Sequence, residues 1–204
     1  MKALRRETRL YRYVHVSDDG MAPAIKDGQL TLATCKPVIR RGAGIGDWVM
    51  GFYPSPADPG VLGWAARISW TLHHPQYEEE FRGRPDAVYG SRDGAVVRLR
   101  EDYHTDQRDM DKDLSAPVLL FDRSASWYFG DRPVPLPPHL MHLAPSGQGH
   151  RVNNRRPGDE AALLAWLLSQ APPGIIGRPR HEGVGQPSTP LLPTAPGRCS
   201  RRGC

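Results

Sequence analysis

The chain has 204 residues, 39% of them apolar and 24% charged, with a formal net charge of +5. That length suits one ordinary domain with room for a core, and the composition excludes collagen-like, wholly disordered and disulfide-scaffold classes. Five arginines against Glu182 in residues 172–204 give that stretch +4, so nearly all the excess charge sits in a tail. No apolar run approaches the roughly 20 residues that cross a bilayer, and the opening MKALRRETRLYRYV has no apolar stretch for a secretory signal. Three cysteines, an odd and low count, point to a reducing compartment. A cytoplasmic protein without a membrane partner is expected.

In chain order, residues 10–16 and 29–34 read as strands, and residues 47–53 (DWVMGFY) as another. The Pro/Gly-rich PSPADPG joins this strand as a hairpin to residues 61–72 (VLGWAARISWTL). There strict alternation places Leu62, Trp64, Ala66, Ile68, Trp70 and Leu72 on one face. Residues 101–113 (EDYHTDQRDMDKD) lack the glycine and closing glutamate of a calcium loop and read as a solvated acidic loop. Strands follow at 118–121 and 127–129. Residues 159–168 (DEAALLAWLL) read as a helix that buries Leu163, Leu164, Leu167 and Leu168 and is stopped by Pro172. The fold class is α+β: a mostly antiparallel sheet or small barrel with flanking helices and a C-terminal helix. One domain is expected over residues 1–174, with a disordered Pro/Gly/Arg-rich tail over 175–204.

The densest chemistry lies in LTLATCKPVIRRGAGIGDWVMG, residues 30–51. A strand delivers Cys35, and Pro37 forces a turn. Lys36, Arg40 and Arg41 set three cations near the thiol, a pattern that activates a thiolate or grips phosphate. The G-x-G-x-G spacing matches neither the dinucleotide fingerprint nor the P-loop. Gly46–Asp47 reads as a bend before a strand, with Trp48 pointing inward or capping a pocket. No Cys-His or Ser-His-Asp partner for Cys35 can be assigned, since such groups meet only in space, and a free cysteine at a strand end is more often a small buried hydrophobe than a nucleophile. His73–His74 and His139-x-x-His142 lack further ligands at metal spacing, so no metal site is expected, and no cofactor is identifiable. GQGHR (147–151) offers a glycine-bracketed loop in which His150 and Arg151 supply donors for a phosphate or base edge.

These motifs together resemble the nucleotide modification associated domain 2 family. The likeness runs through Tyr13-Val14, Asp18-x-Gly20-x-Ala22-Pro23, the 30–51 block, GWAARI, Tyr89-Gly90, VLLFDRSASWYFG, GQGHR and the leucine-rich terminal helix. It spans about residues 10–176, with Ala24 and the region 82–116 departing from the pattern. The resemblance implies a role around modified nucleotides or DNA bases, with nucleotide or DNA as partner. By analogy with small PUA-like barrels that seize a base, Trp48, Trp127 and Tyr128 would supply an aromatic plane and Lys36, Arg40, Arg41 and Arg151 the charge. Three readings follow. The first is a nucleotide- or nucleobase-binding protein whose pocket lies beside the Cys-Lys-Pro and Gly-Asp-Trp block. The second is a cysteine-dependent enzyme on a nucleotide, with Cys35 as nucleophile and Lys36 tuning it. The third is a non-catalytic interaction module with a basic tail.

Overall fold

A computed structural model describes residues 7–55, 60–145, 147, 149–152 and 156–181. The strands are β1 (Leu10–Val14), β2 (Ala24–Lys26), β3 (Gln29–Leu32), β4 (Trp48–Phe52), β5 (Val61–Leu72), β6 (Tyr89–Arg92), β7 (Ala95–Arg98), β8 (Val118–Tyr128), β9 (Val134–Pro135), β10 (His150–Arg151) and β11 (Gly174–Ile175). The helices are α1 (Pro37–Gly42), α2 (His74–Glu80), α3 (Gln107–Leu114) and α4 (Asp159–Gln170), with a 3-10 helix over Pro138–Leu143. The main sheet runs β10-β1-β4-β5-β8-β3-β2, with β9 beside β5 and β11 beside β8. It is mostly antiparallel, but β1–β4 and β8–β11 pair in parallel. The α+β expectation holds; the barrel does not. The strand order is an open path whose ends, β10 and β2, do not pair.

Strand β5 does not pair in one continuous register. The register of β5 slips against β4 at Gly51/Phe52, and against β8 between Ala66 and Ile68 and between Ile68 and Trp70. Each slip changes which side chains share a face. The single alternating face expected for residues 61–72 is therefore split. Leu62 joins Leu10, Trp48, Met50, Trp127, Leu163 and Leu167 under α4. Trp64, Ala66 and Ile68 join Tyr11, Tyr13, Leu30, Leu32, Ile39 and Phe121 on the opposite side. Trp70 is exposed.

Helix α4 forms as expected but buries a narrower stripe, Leu163 and Leu167; Leu164 is half-buried and Leu168 exposed. The two strands expected at 118–121 and 127–129 are one continuous β8. The chain beyond residue 174 is not loose at its start. Residues 174 and 175 pair with Trp127 and Tyr128, Ile176 and Gly177 N–H groups donate to the Tyr128 carbonyl, and the Arg178 N–H to Asp131. Cys199, Cys204 and most of the proposed tail lie outside the described residues, as do residues 56–59 of PSPADPG and Gln148 of GQGHR.

Gly51 is where β4 crosses under Trp64. A Cβ there would lie 2.1 Å from the indole nitrogen, and that indole N–H donates to Tyr13 Oη at 3.3 Å. Gly51→Ala is expected to lower stability by about 1–3 kcal/mol, the usual cost of overpacking, as a drop in the urea midpoint. An unchanged midpoint would mean the Trp64 ring is not held.

Candidate active site around Cys35

Strand β3 ends against β8, and the chain then turns abruptly. Cys35 and Lys36 have φ of 57° and 46°, a left-handed conformation that costs a side-chain-bearing residue on the order of 1 kcal/mol or more. Pro37 opens α1, where its fixed φ and missing N–H suit the first helical position. The thiol thus sits on a strand-turn-helix elbow, the backbone device that presents a nucleophile in other folds, but here Cys35 is buried, at 4% exposure. Among the described residues the other non-glycine positive φ values fall at Asp27, Asp93 and His104. Asp27-Gly28 and Asp93-Gly94 are hairpin turns, where that geometry is ordinary. The strain elsewhere is confined to Cys35, Lys36 and His104.

Those residues converge. His104 Nε2 lies 3.6 Å from Cys35 Sγ, and its Nδ1 lies 2.6 Å from Asp113 Oδ2. Tyr103 Oη stands 3.6 Å from the same sulfur and 3.4 Å from Thr34 Oγ1. Asp113 is buried and is heavily donated to: by the Cys35 N–H at 2.8 Å, by Tyr89 Oη at 3.0 Å and by Arg40 Nη2 at 3.3 Å. Arg40 also ties the elbow to α3, donating from Nε to the Cys35 carbonyl at 2.7 Å and from Nη2 to the Asp113 carbonyl at 2.9 Å. His74 Nε2 lies 3.3 Å from Arg40 Nη1 and 3.0 Å from the Asp113 carbonyl.

Electrostatics follow the geometry. Burial opposes charge on His104, but the hydrogen bonds and fields of Asp113 and Cys35 outweigh it and lift the ring to about 10. An imidazolium at neutral pH is the state that pairs with a thiolate. His74 goes the other way: burial, then Arg40 beside it, lowers it to about 4, so it stays neutral. This is the constellation of a nucleophile, a proton-carrying base and a carboxylate that orients the base.

A second polar wall adjoins it. Asp19, half-buried, is raised by burial and by the Cys35 field among other causes. Its neighbour Asp18 is buried and accepts from Tyr53 Oη and Tyr128 Oη. His15 stacks on Tyr53 with ring centroids 5.7 Å apart and also meets Tyr13. Lys36 Nζ lies 4.9 Å above the Tyr13 ring and the Arg180 guanidinium 4.3 Å above Tyr53.

Of the residues singled out from sequence, Cys35 is central, whereas Arg40 is wholly buried and serves as the counter-charge and strut of Asp113 instead of a phosphate contact. Arg41 is exposed, 3.3 Å from Ser115 Oγ. Lys36 directs its ammonium to Tyr13. Trp48 and Trp127 are buried and stacked on each other, so neither is an open aromatic plane, because both fill the core under α4. Tyr128 is likewise buried, its hydroxyl committed to Asp18. His150 and Arg151 form β10 at the sheet edge, where Arg151 Nη1 donates to the His150 carbonyl at 2.9 Å. His104 and Asp113 come from the acidic run expected to be a solvated loop. Part of it is helix α3, capped by Asp106 accepting from the Arg108 N–H at 2.8 Å. The signals in that run were a Tyr-His pair among acids and an Asp cap before a helical segment. Among the described residues no group of three or more His, Cys, Asp or Glu is arranged to hold a metal, and no helix is long and apolar enough to cross a membrane.

Fold and site together define an α+β protein with a thiol–imidazole–carboxylate triad. Residues 7–84 match the family model described as nucleotide modification associated domain 2, so the family likeness holds over that segment. No curated protein and no solved structure matches the chain. The matched segment contains Cys35, Arg40 and the His15–Asp19 wall; Tyr103, His104 and Asp113 lie beyond it.

Two measurements follow from these contacts. Asp113→Asn leaves Arg40 buried without its counter-charge, so a loss of about 3–5 kcal/mol is expected in chemical denaturation; a loss below 1 kcal/mol would mean the guanidinium is not dependent on that carboxylate. The pH dependence has two limbs. His15 and His74, both depressed to about 4, bind protons more readily unfolded, so stability falls as pH drops from about 6.5 towards 4. His104, raised to about 10, stabilises the fold below its unfolded value of about 6.5, and that contribution disappears as pH climbs through 10. His104→Asn should flatten only the alkaline limb of a urea-midpoint profile.

Proposed function

We propose that this protein is a cysteine-dependent enzyme acting on a nucleotide-type substrate through a covalent adduct at Cys35. The observation that carries this reading is the line Cys35 Sγ, His104 Nε2, His104 Nδ1, Asp113 Oδ2, with contacts of 3.6 Å and 2.6 Å. The nucleotide class comes from the family description that residues 7–84 match.

The chemistry suits attack on an electrophilic sp² carbon. The thiolate supplies the electron pair for a new S–C bond, and the bond from that carbon to its leaving group breaks. The proton on His104 Nε2 passes to the leaving group. The now neutral imidazole takes a proton from an incoming water or other acceptor, which displaces the sulfur and restores the thiolate–imidazolium pair. Asp113 holds His104 in the orientation both steps need. Its other contacts come from the Cys35 N–H, Tyr89 and Arg40, so the elbow and the base are set by one carboxylate. Tyr103 Oη, which faces the sulfur, is placed to donate to negative charge developing beside it.

Alkylation of Cys35 by iodoacetamide, followed on the Cys35 peptide by mass spectrometry against pH, tests the nucleophile. The rate should stay high well below about 8.5, where an ordinary thiol is mostly protonated. His104→Asn and Asp113→Asn should move the profile up towards that value. A wild-type midpoint at about 8.5 would remove the reading.

A further inference from the structure

The triad explains the buried charges on one side of the elbow, but it makes no use of His15. This residue follows β1 on the face that carries Tyr13, and it is 3% exposed. Neither ring nitrogen has a hydrogen bond of good geometry; the one partner in reach is the Ser17 main chain, a weak hydrogen bond that favours the protonated ring. Leaving such groups unsatisfied is costly, and an apolar ring would fit the same stack without the penalty. The ring is also fixed in place: its own backbone N–H donates to the Phe52 carbonyl at 2.6 Å, Tyr53 stacks on one side and Tyr13 tilts against it. Burial, partly offset by Asp18, depresses it to about 4. A ring that stays uncharged offers one N–H and one lone pair, which suits a neutral polar partner better than a phosphate.

The place of His15 connects it to the thiol. Lys36, the residue after Cys35, reaches over Tyr13 and acts electrostatically on His15, as do Asp18 and His181. Asp19, next to Asp18, lies in the field of Cys35. What covers this wall is the last described stretch of chain. The His181 N–H donates to the Asp18 carbonyl at 2.9 Å, the Asp18 N–H donates to His181 Nδ1 at 3.0 Å, and Arg180 lies on Tyr53. Arg178 is fixed by paired hydrogen bonds with Asp131, whereas Arg180 and His181 are exposed and are held on the wall by two main-chain and ring hydrogen bonds and one cation–π contact.

We propose that His15 is the specificity-determining contact of the Cys35 site, an imidazole that hydrogen-bonds an uncharged donor–acceptor group of a nucleobase once Arg180 and His181 lift from Tyr53 and Asp18. This rests on the reading of Cys35 as the nucleophile. The buried ring nitrogens then gain the well-formed partners that the closed form lacks, and Tyr53 gives up Arg180 to become the face on which a base can stack.

The test uses the full chain and free uridine, thymidine, cytidine, adenosine and guanosine as protectants against iodoacetamide at Cys35. At least one nucleoside should slow alkylation saturably in the wild type. His15→Phe should weaken that protection about tenfold, the factor one hydrogen bond commonly contributes, and His15→Gln should restore part of it. The double variant Arg180→Ala/His181→Ala should strengthen protection, because the cover no longer competes. His15→Phe should melt at or above the wild-type temperature, which shows that lost protection is not lost folding. Equal protection of wild type and His15→Phe, protection by no nucleoside, or a lower melting temperature for His15→Phe would each overturn the proposal. The alkylation profile without nucleoside separates the two ideas: if it keeps its low-pH rate in His15→Phe, the nucleophile stands whatever becomes of His15.

Discussion

A single carboxylate organises the chemistry of this molecule. Asp113 accepts from the Cys35 main chain, from Tyr89 and from Arg40, and faces the His104 ring. Three segments of chain, the 35–40 elbow, Tyr89 and His104, meet at its two oxygens. A buried anion is tolerable only when compensated this fully, so each partner's position is dictated by the others. The left-handed turn at Cys35 and Lys36 is affordable because the Cys35 N–H and carbonyl are both held, the first by Asp113 and the second by Arg40.

The sheet explains why that cluster sits where it does. Slips in β5 divide its side chains, so that one face packs α4 and the other carries Tyr11, Tyr13, Trp64 and Ile39. The elbow rises at the end of β3 above a small apolar floor of Met21, Val88, Tyr89 and Tyr103. That floor seats Tyr103 and Tyr89, whose hydroxyls point to sulfur and carboxylate. Packing and polar contacts of the site are therefore carried by the same aromatic residues, with the ring buried and the hydroxyl turned to the thiol or the carboxylate.

Much of the architecture could be read from residue patterns. Alternation located β5, the Gly46–Asp47 bend located the start of β4, and acidic residues with a leucine stripe located α4. What escaped was non-local. A register slip leaves no mark in period-two alternation, so Trp70 looked inward when it is exposed. A guanidinium looks the same in sequence whether it meets phosphate or a buried aspartate, which is why Arg40 was assigned to the ligand. Cys35 stood out because its elbow is local, with Pro37 announcing the turn. His104 and Asp113 did not, because six acids in thirteen residues read as solvent-facing, and only three-dimensional closure turns one of them inward.

The division of the triad between two stretches of chain has a consequence for how such a protein can diversify. The sulfur and its strut come from the segment that matches the family model, while the imidazole and the acid come from a short piece ending in α3, which meets the rest through Asp113, Tyr103 and His104 and through Met110 and Leu114 on the apolar floor. Substitutions on the water-facing side of that helix leave those anchors in place. The outer rim can therefore change while the hydrogen-bonded cluster of thiol, imidazole and carboxylate beneath it is kept.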